Sequence, residues 1–238
     1  MKEGGKWNEG DEMKERVVFV LVMTFVGLLQ FACERDEKRA EALFAPRREG
    51  SAIEKDVAAS PVEISYDESL HRGVPEEAKK RWIEAFGLHK QSPYSYDKPL
   101  KLLGEAIKIC PEYKMAYFTR GTILMKKYNE TMDVRVLDKA IQSFRKTLEL
   151  GADWVGLYNN LAFALILKGE NEEAIAHLKV ALEKKPDSIY VLNNLFEAYY
   201  NEGKFEEAKG YLEKAKALNP NHEITRHNWM KYNAAIQR

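Results

Sequence analysis

Cysteine is scarce in this chain, with only Cys33 and Cys110 among 238 residues, and two such residues do not make a disulfide framework. Histidine is scarce too. His71, His89, His177, His222 and His227 fall at no ligand spacing, so no metal site is expected. Neither sign of charge is in excess, because 37 lysines and arginines meet 37 aspartates and glutamates. There is therefore no basic field to condense on nucleic acid and no polybasic segment to hold anionic lipid.

Catalytic patterns are equally thin. His222, Glu223 and Arg226 begin like a zinc-protease helix, but arginine stands fifth and the second histidine is missing. Ser143 and Lys146 match S-x-x-K by spacing, yet they lie inside AIQSFRKTLEL, where they read as a solvated helix face. Cys110 precedes Pro111 at a helix end and reads as a small packed residue. Nothing here asks for a cofactor, and no enzyme is expected.

What the chain does have is a repeat. Tyr158, Asn159, Asn160, Leu161 and Ala162 are followed by Gly169, Glu172, Glu173, Ala174, Leu178, Ala181 and Pro186. The same frame returns 34 residues later as Leu192, Asn193, Asn194, Leu195, Phe196, Gly203, Glu206, Glu207, Ala208, Leu212, Ala215 and Pro220. A period of that length, with small residues mid-repeat and a closing proline, marks a helix–turn–helix unit that stacks into a solenoid. Ala162, Ala174, Ala181, Ala208 and Ala215 allow two helices to approach closely, and Leu161, Leu178, Leu195 and Leu212 fill the space between them. Gly169 and Gly203 end the first helices in a left-handed conformation, and Pro186 and Pro220 stop the second ones.

The frame extends upstream. Ala140 and Phe144 lie 34 before Ala174 and Leu178, but Gly121 precedes Ala140 by 19 residues where the pattern has 12. Seven residues are thus inserted between Tyr128 and Leu137. That is about two helical turns, so a longer second helix keeps its buried face in phase. Met132, Val136, Ile141, Phe144 and Leu148 favour this over a looser loop around Asn129, Glu130 and Thr131. An earlier unit closes at Pro111. Leu103 and Ala106 carry its second-helix pattern, Ile83, Phe86 and Gly87 its first, and Pro99 falls in the first turn of the second helix. The expectation is four repeats at 80–113, 114–154, 155–188 and 189–222, with a capping helix over 223–238.

This pattern resembles the tetratricopeptide repeat family. The resemblance implies an all-α right-handed solenoid over 76–238 that binds proteins and does no chemistry itself. First helices of such repeats line a concave groove, and some members hold an extended peptide's backbone with asparagine at the sixth repeat position. Asn160, Asn194 and Asn228 occupy that position here, 34 apart, while the upstream places hold Thr119 and Ala85. An amide offers donor and acceptor together, so a row of them suits successive peptide groups. The alternative is that these asparagines only bond between helices. Around them the candidate groove residues are Asn159, Asn193 and His227, then Phe163, Glu197 and Lys231 one turn on. Tyr190, Ile166 and Tyr200 add apolar and aromatic surface. Arg81, Lys126 and Lys231 are scattered, so no clamp for a terminal carboxylate is expected.

One long apolar run exists, residues 17–32, followed by Cys33. It spans roughly 24 Å as a helix, short of the ~30 Å hydrocarbon core. Lys14 and Arg16 precede it and small Ala32 stands before the cysteine, the layout of a secretory signal. It resembles a bacterial lipoprotein signal, which implies lipidation of Cys33. Gln30 and Phe31 depart from that motif, and Leu29 stands one place early. Glu3, Glu9, Asp11 and Glu12 are foreign to a signal, and Met13 is an alternative start. The competing reading is an uncleaved signal anchor. Residues 33–75, with a mixed-charge run and then Pro46, Gly50, Ser51, Ser60 and Pro61, read as a flexible tether, with short order near 62–66. The expected protein is a membrane-anchored, periplasm-facing adaptor for an envelope protein or peptide. The alternatives are a signal-anchored assembly helper and a small-ligand-binding accessory subunit, the latter built around Phe118, Met125 and Phe163.

Overall fold

The alternation of apolar faces at helical spacing is realised as paired helices. The structure, a computed structural model, describes residues 68–89 and 95–236. Among them are nine α-helices, one 3-10 turn and no strand. The apolar run at 17–32, Cys33 and the tether as far as residue 67 lie outside the described residues. The helices form pairs: α1 Glu76–His89 with α2 Asp97–Ile109, α3 Lys114–Thr131 with α4 Val134–Glu149, α5 Val155–Lys168 with α6 Asn171–Lys184, and α7 Ile189–Asn201 with α8 Phe205–Leu218. A last helix, α9 Glu223–Ile236, follows alone. Each second helix packs on the first helix of the next pair, and first helices also touch one another along the stack. The first helices therefore form the inner row of an all-α solenoid.

The small residues sit where the helices meet. Ala162, Ala174, Ala181, Ala208 and Ala215 are wholly buried, as are Leu161, Leu178, Leu195 and Leu212. A fully buried leucine contributes about 1.5–3 kcal/mol relative to an exposed one. In the second pair the large ring of Phe144 occupies the leucine position, and its facing residue is Gly121. A Cβ on Gly121 would lie 2.5 Å from Phe144 Cε1, so the two residues fit only as a pair. Gly169 and Gly203 adopt φ of +87° and +72° just past α5 and α7, as their positions require. Pro99 lies in the first turn of α2, where its missing N–H costs nothing.

Three local expectations are corrected. The seven-residue insertion does not lengthen only the second helix. Relative to Gly121 it adds four residues to the end of α3, and relative to Ala140 it adds three before the start of α4, so the hairpin gains one turn on each arm. Met132 is therefore not on the apolar stripe. It caps α3 in the left-handed conformation, φ 52°, and is 46% exposed.

The first repeat is also shifted by one residue. Trp82 is buried and Ile83 is 48% exposed, with Gly87 facing outward beside it. The buried set is Ala78, Trp82 and Ala85, a helical spacing one place ahead of the one expected. One extra residue before α2 accounts for the offset. Finally, the end of the expected tether is packed. The 3-10 turn Glu68–His71 seats a buried His71 against Trp82, with ring centroids 4.6 Å apart, and Nδ1 meets the Tyr113 hydroxyl at 2.5 Å.

Candidate binding surface on the inner row

The asparagines of the repeat frame lie on the inner row, where they bond helix to helix. Asn194 Nδ2 on α7 donates to Asn159 Oδ1 on α5 at 2.9 Å. Asn228 Nδ2 on α9 donates to Asn193 Oδ1 on α7 at 3.0 Å, while Asn193 Nδ2 donates to Thr225 Oγ1 and to the Ile189 carbonyl. Asn159, Asn193, Asn194 and Asn228 are all buried. Of the two sequence readings for the sixth-position asparagines, the geometry at Asn194 and Asn228 is that of an inter-helix ladder, and Asn159 and Asn193, expected in the groove, are its buried acceptors. Each bond spans 35 residues, one more than the repeat, because it joins the sixth position of one unit to the fifth of the unit before. At the other end of the stack Trp82 Nε1 donates to Thr119 Oγ1 at 2.8 Å, a buried link between α1 and α3.

Between α3 and α5 the ladder is broken. The position that would receive the Asn160 amide holds Phe118, a buried ring packed edge-on against Trp154 at 5.6 Å. Asn160 is half-buried, and its side chain makes no hydrogen bond among the described residues. It is the ladder amide left open to the surface of the row.

One turn along, three of the candidate residues come together. Lys231 on α9 pairs with Glu197 on α7, and its ammonium lies 4.5 Å from the centroid of the Tyr200 ring. Glu197 Oε1 is buried with no partner among the described residues, so this carboxylate keeps one unused acceptor. Tyr200 is held in turn by Phe196 and Phe205, at 5.5 and 5.4 Å. Phe163 and Ile166 are buried within the core, as are Phe118 and Met125. Tyr190 is not part of this cluster. It stands ten residues before Tyr200 on the same helix, about 15 Å away, and packs against His222 at 5.5 Å.

A residue missed in the sequence stands between α3 and α4. Arg120 occupies the place of Leu161 and Leu195, both wholly buried in their own repeats. Its Nε donates to Ser143 Oγ at 3.1 Å and its guanidinium carbon lies 5.0 Å from the Tyr117 ring centroid. Burial holds this guanidinium below its ordinary pKa, with Tyr117 pulling the other way. Ser143 is thus buried, not on a solvated face, and its hydroxyl donates to the Lys139 carbonyl. Lys146 turns away to Glu149, so the S-x-x-K spacing assembles no dyad. The alignment of the repeats already carries the signal for Arg120: a cation where the frame calls for leucine.

Among the described residues no three His, Cys, Asp or Glu side chains come together as a metal would need. No helix there is long and apolar enough to cross a membrane.

The helix pairs, their glycine breaks and the inner row can be set beside known proteins. A tetratricopeptide repeat family model matches residues 165–225, which run from the end of α5 to the start of α9. The fold is a tetratricopeptide-repeat solenoid. Solved structures carry the same architecture over most of the chain. TTC0263, a thermophilic TPR protein of Thermus thermophilus, is 20% identical with a TM-score of 0.53, over 78% of this chain and 100% of that one. MamA from Desulfovibrio magneticus RS-1 is 15% identical, TM-score 0.55, over 69% and 98%. The pilF protein of Pseudomonas aeruginosa is 20% identical, TM-score 0.56, over 70% and 72%. No curated protein sequence matches the chain. At these identities the likeness is one of fold.

Proposed function

We propose that this tetratricopeptide solenoid is a non-catalytic adaptor that takes an extended segment of a partner protein along its inner row. The observation that carries this reading is on the inner row, where the half-buried Asn160 of α5 keeps an amide that no helix uses. Asn160 offers an unused amide, and Tyr200 on α7 an aromatic face stiffened by Phe196 and Phe205. An extended peptide presents alternating N–H and C=O groups, and an amide offers an acceptor for the one and a donor for the other. The aromatic ring supplies the apolar contact that such interfaces concentrate in few residues. Asn159, Asn193, Asn194 and Asn228 act behind this surface by fixing the helices that carry it.

The adaptor works at the bacterial cell envelope in this reading, anchored through a lipid on Cys33 and facing the periplasm. The charged start, apolar centre and small residue before Cys33 support that placement. Intact mass of the chain extracted from membranes separates the two anchors. A mature protein beginning at a lipidated Cys33 supports the lipoprotein, whereas retention of residues 1–32 favours the signal-anchored helper.

The groove is tested by capture. The full chain, extracted in detergent, serves as bait against solubilised envelopes, beside a variant carrying N160A, Y200A and K231E. With circular dichroism of the variant unchanged, a partner held by the first and lost by the second supports inner-row binding. Equal capture by both moves the interface elsewhere on the solenoid.

A further inference from the structure

Arg120 is placed at some cost to the fold, and no carboxylate described within the chain pairs with it. Five arginines other than Arg120 are described. Arg81 and Arg145, which are partly withdrawn from solvent, pair with Glu77 and Glu105 and with Glu170 and Glu173. Arg135 pairs with Asp133 while exposed, and Arg72 and Arg226 are exposed. Arg120 is the one arginine drawn from solvent with no carboxylate within salt-bridge distance among the described residues. A leucine at this position is what the third and fourth repeats use, and both leucines are wholly buried. Replacing such a residue by a cation without a paired carboxylate costs desolvation energy that one hydrogen bond and one ring contact offset only in part.

The guanidinium is also held in place. Ser143 Oγ accepts from Nε, and the Tyr117 ring lies against its face at 5.0 Å. Those contacts use one of five N–H donors. The two terminal amino groups are not sealed in the interior, since neither stands among the buried polar atoms lacking a partner. A fork with one edge pinned and the other free is arranged for a planar two-oxygen anion. It carries a single positive charge, which matches a carboxylate. A phosphate near −2 would leave about one negative charge uncompensated in a half-buried site.

We infer that Arg120 is a carboxylate anchor: the free edge of its guanidinium receives an acidic side chain of a partner protein, in bidentate fashion, between α3 and α4. This anchor faces α4, not the row carrying Asn160 and Tyr200, so it stands or falls independently of the groove.

The test is thermal unfolding of the full chain in detergent, with sodium acetate or the capped peptide acetyl-Gly-Glu-Gly-amide set against sodium chloride at matched ionic strength. The glutamine version of the peptide and sodium phosphate serve as further probes. Carboxylates are expected to raise the Tm of the natural chain by roughly 2–4 °C and the glutamine peptide to leave it unchanged. R120L is expected to have a Tm above the natural chain in chloride, and to lose the carboxylate effect. The R120M variant, with a flexible apolar side chain, is expected to do the same if leucine's shape is the difficulty. Stabilisation by phosphate alone, or a carboxylate effect retained in both variants, overturns the proposal. A lower Tm in both variants also overturns it, because Arg120 would then be a structural residue already satisfied within the fold.

Discussion

Asn194 and Asn228 each hand an amide to an asparagine thirty-five residues back, and every one of the four is buried. Removing one partner leaves a buried acceptor or donor unmade, which costs more than the bond itself contributes. N194A is therefore expected to lower unfolding stability by about 1–3 kcal/mol in urea titration, through the stranded Asn159 Oδ1. The double variant N159L/N194L should cost less than the sum of the single ones, because it strands nothing. Additive costs would show that the two amides do not depend on each other. The positions of these residues were legible in the sequence from their 34-residue spacing. Their direction was not. A ladder facing a peptide and a ladder facing the next helix have the same period, and only the offset between the fifth and sixth positions separates them. Arg120 was legible in the same alignment, as a charge in a leucine column.

At the scale of the helix, the second pair is the instructive one. Its seven extra residues were countable from Gly121 and Ala140, but not their division between two arms. A hairpin must lengthen both arms together if its turn is to close, and four residues on one with three on the other approximate one turn each. The turn then needs a left-handed residue, and Met132 supplies it where Gly169 serves the next pair. A side chain in that conformation costs roughly 1–2 kcal/mol, and this one is exposed, so little packing is lost with it. M132G should stabilise the protein by about 1 kcal/mol in urea unfolding; no change or a loss would mean that the methionine makes contacts that matter.

The next residue caps α4. Asp133 Oδ1 accepts from the Arg135 N–H at 2.9 Å, and the Arg135 side chain, first among the causes, holds this carboxyl below its ordinary pKa. Asp153 is lowered likewise, by Lys184 first and Tyr158 second. Both groups are charged more readily when folded, so their contribution is present above the unfolded pKa of about 4. It is lost as pH falls through the lowered folded values. Tm measured from pH 6 downward should decline below about pH 4, and D133N with D153N should flatten that decline. An unchanged slope in the double variant would remove these two carboxylates from the account.

Across the whole molecule, stacking makes stability a sum of neighbour contacts and turns the first helices into one surface. The last helix joins that surface through Asn228, Tyr232 and the Lys231–Glu197 pair, while His71 and Trp82 pack together near the first helix of the stack. The repeat frame predicted the stack because each small or apolar position had one physical use. The first repeat slipped by a residue because a single insertion before α2 rotates a helix's buried face by about 100° without altering its composition. In the proposed adaptor, what the inner row holds decides the function. A photo-crosslinking residue placed at Asn160, and separately at exposed Glu213 on the outer helix α8, measures this directly in the full chain in cells. The proposed adaptor gives a discrete partner adduct from position 160 and none from position 213. An adduct from position 213 alone would contradict inner-row binding.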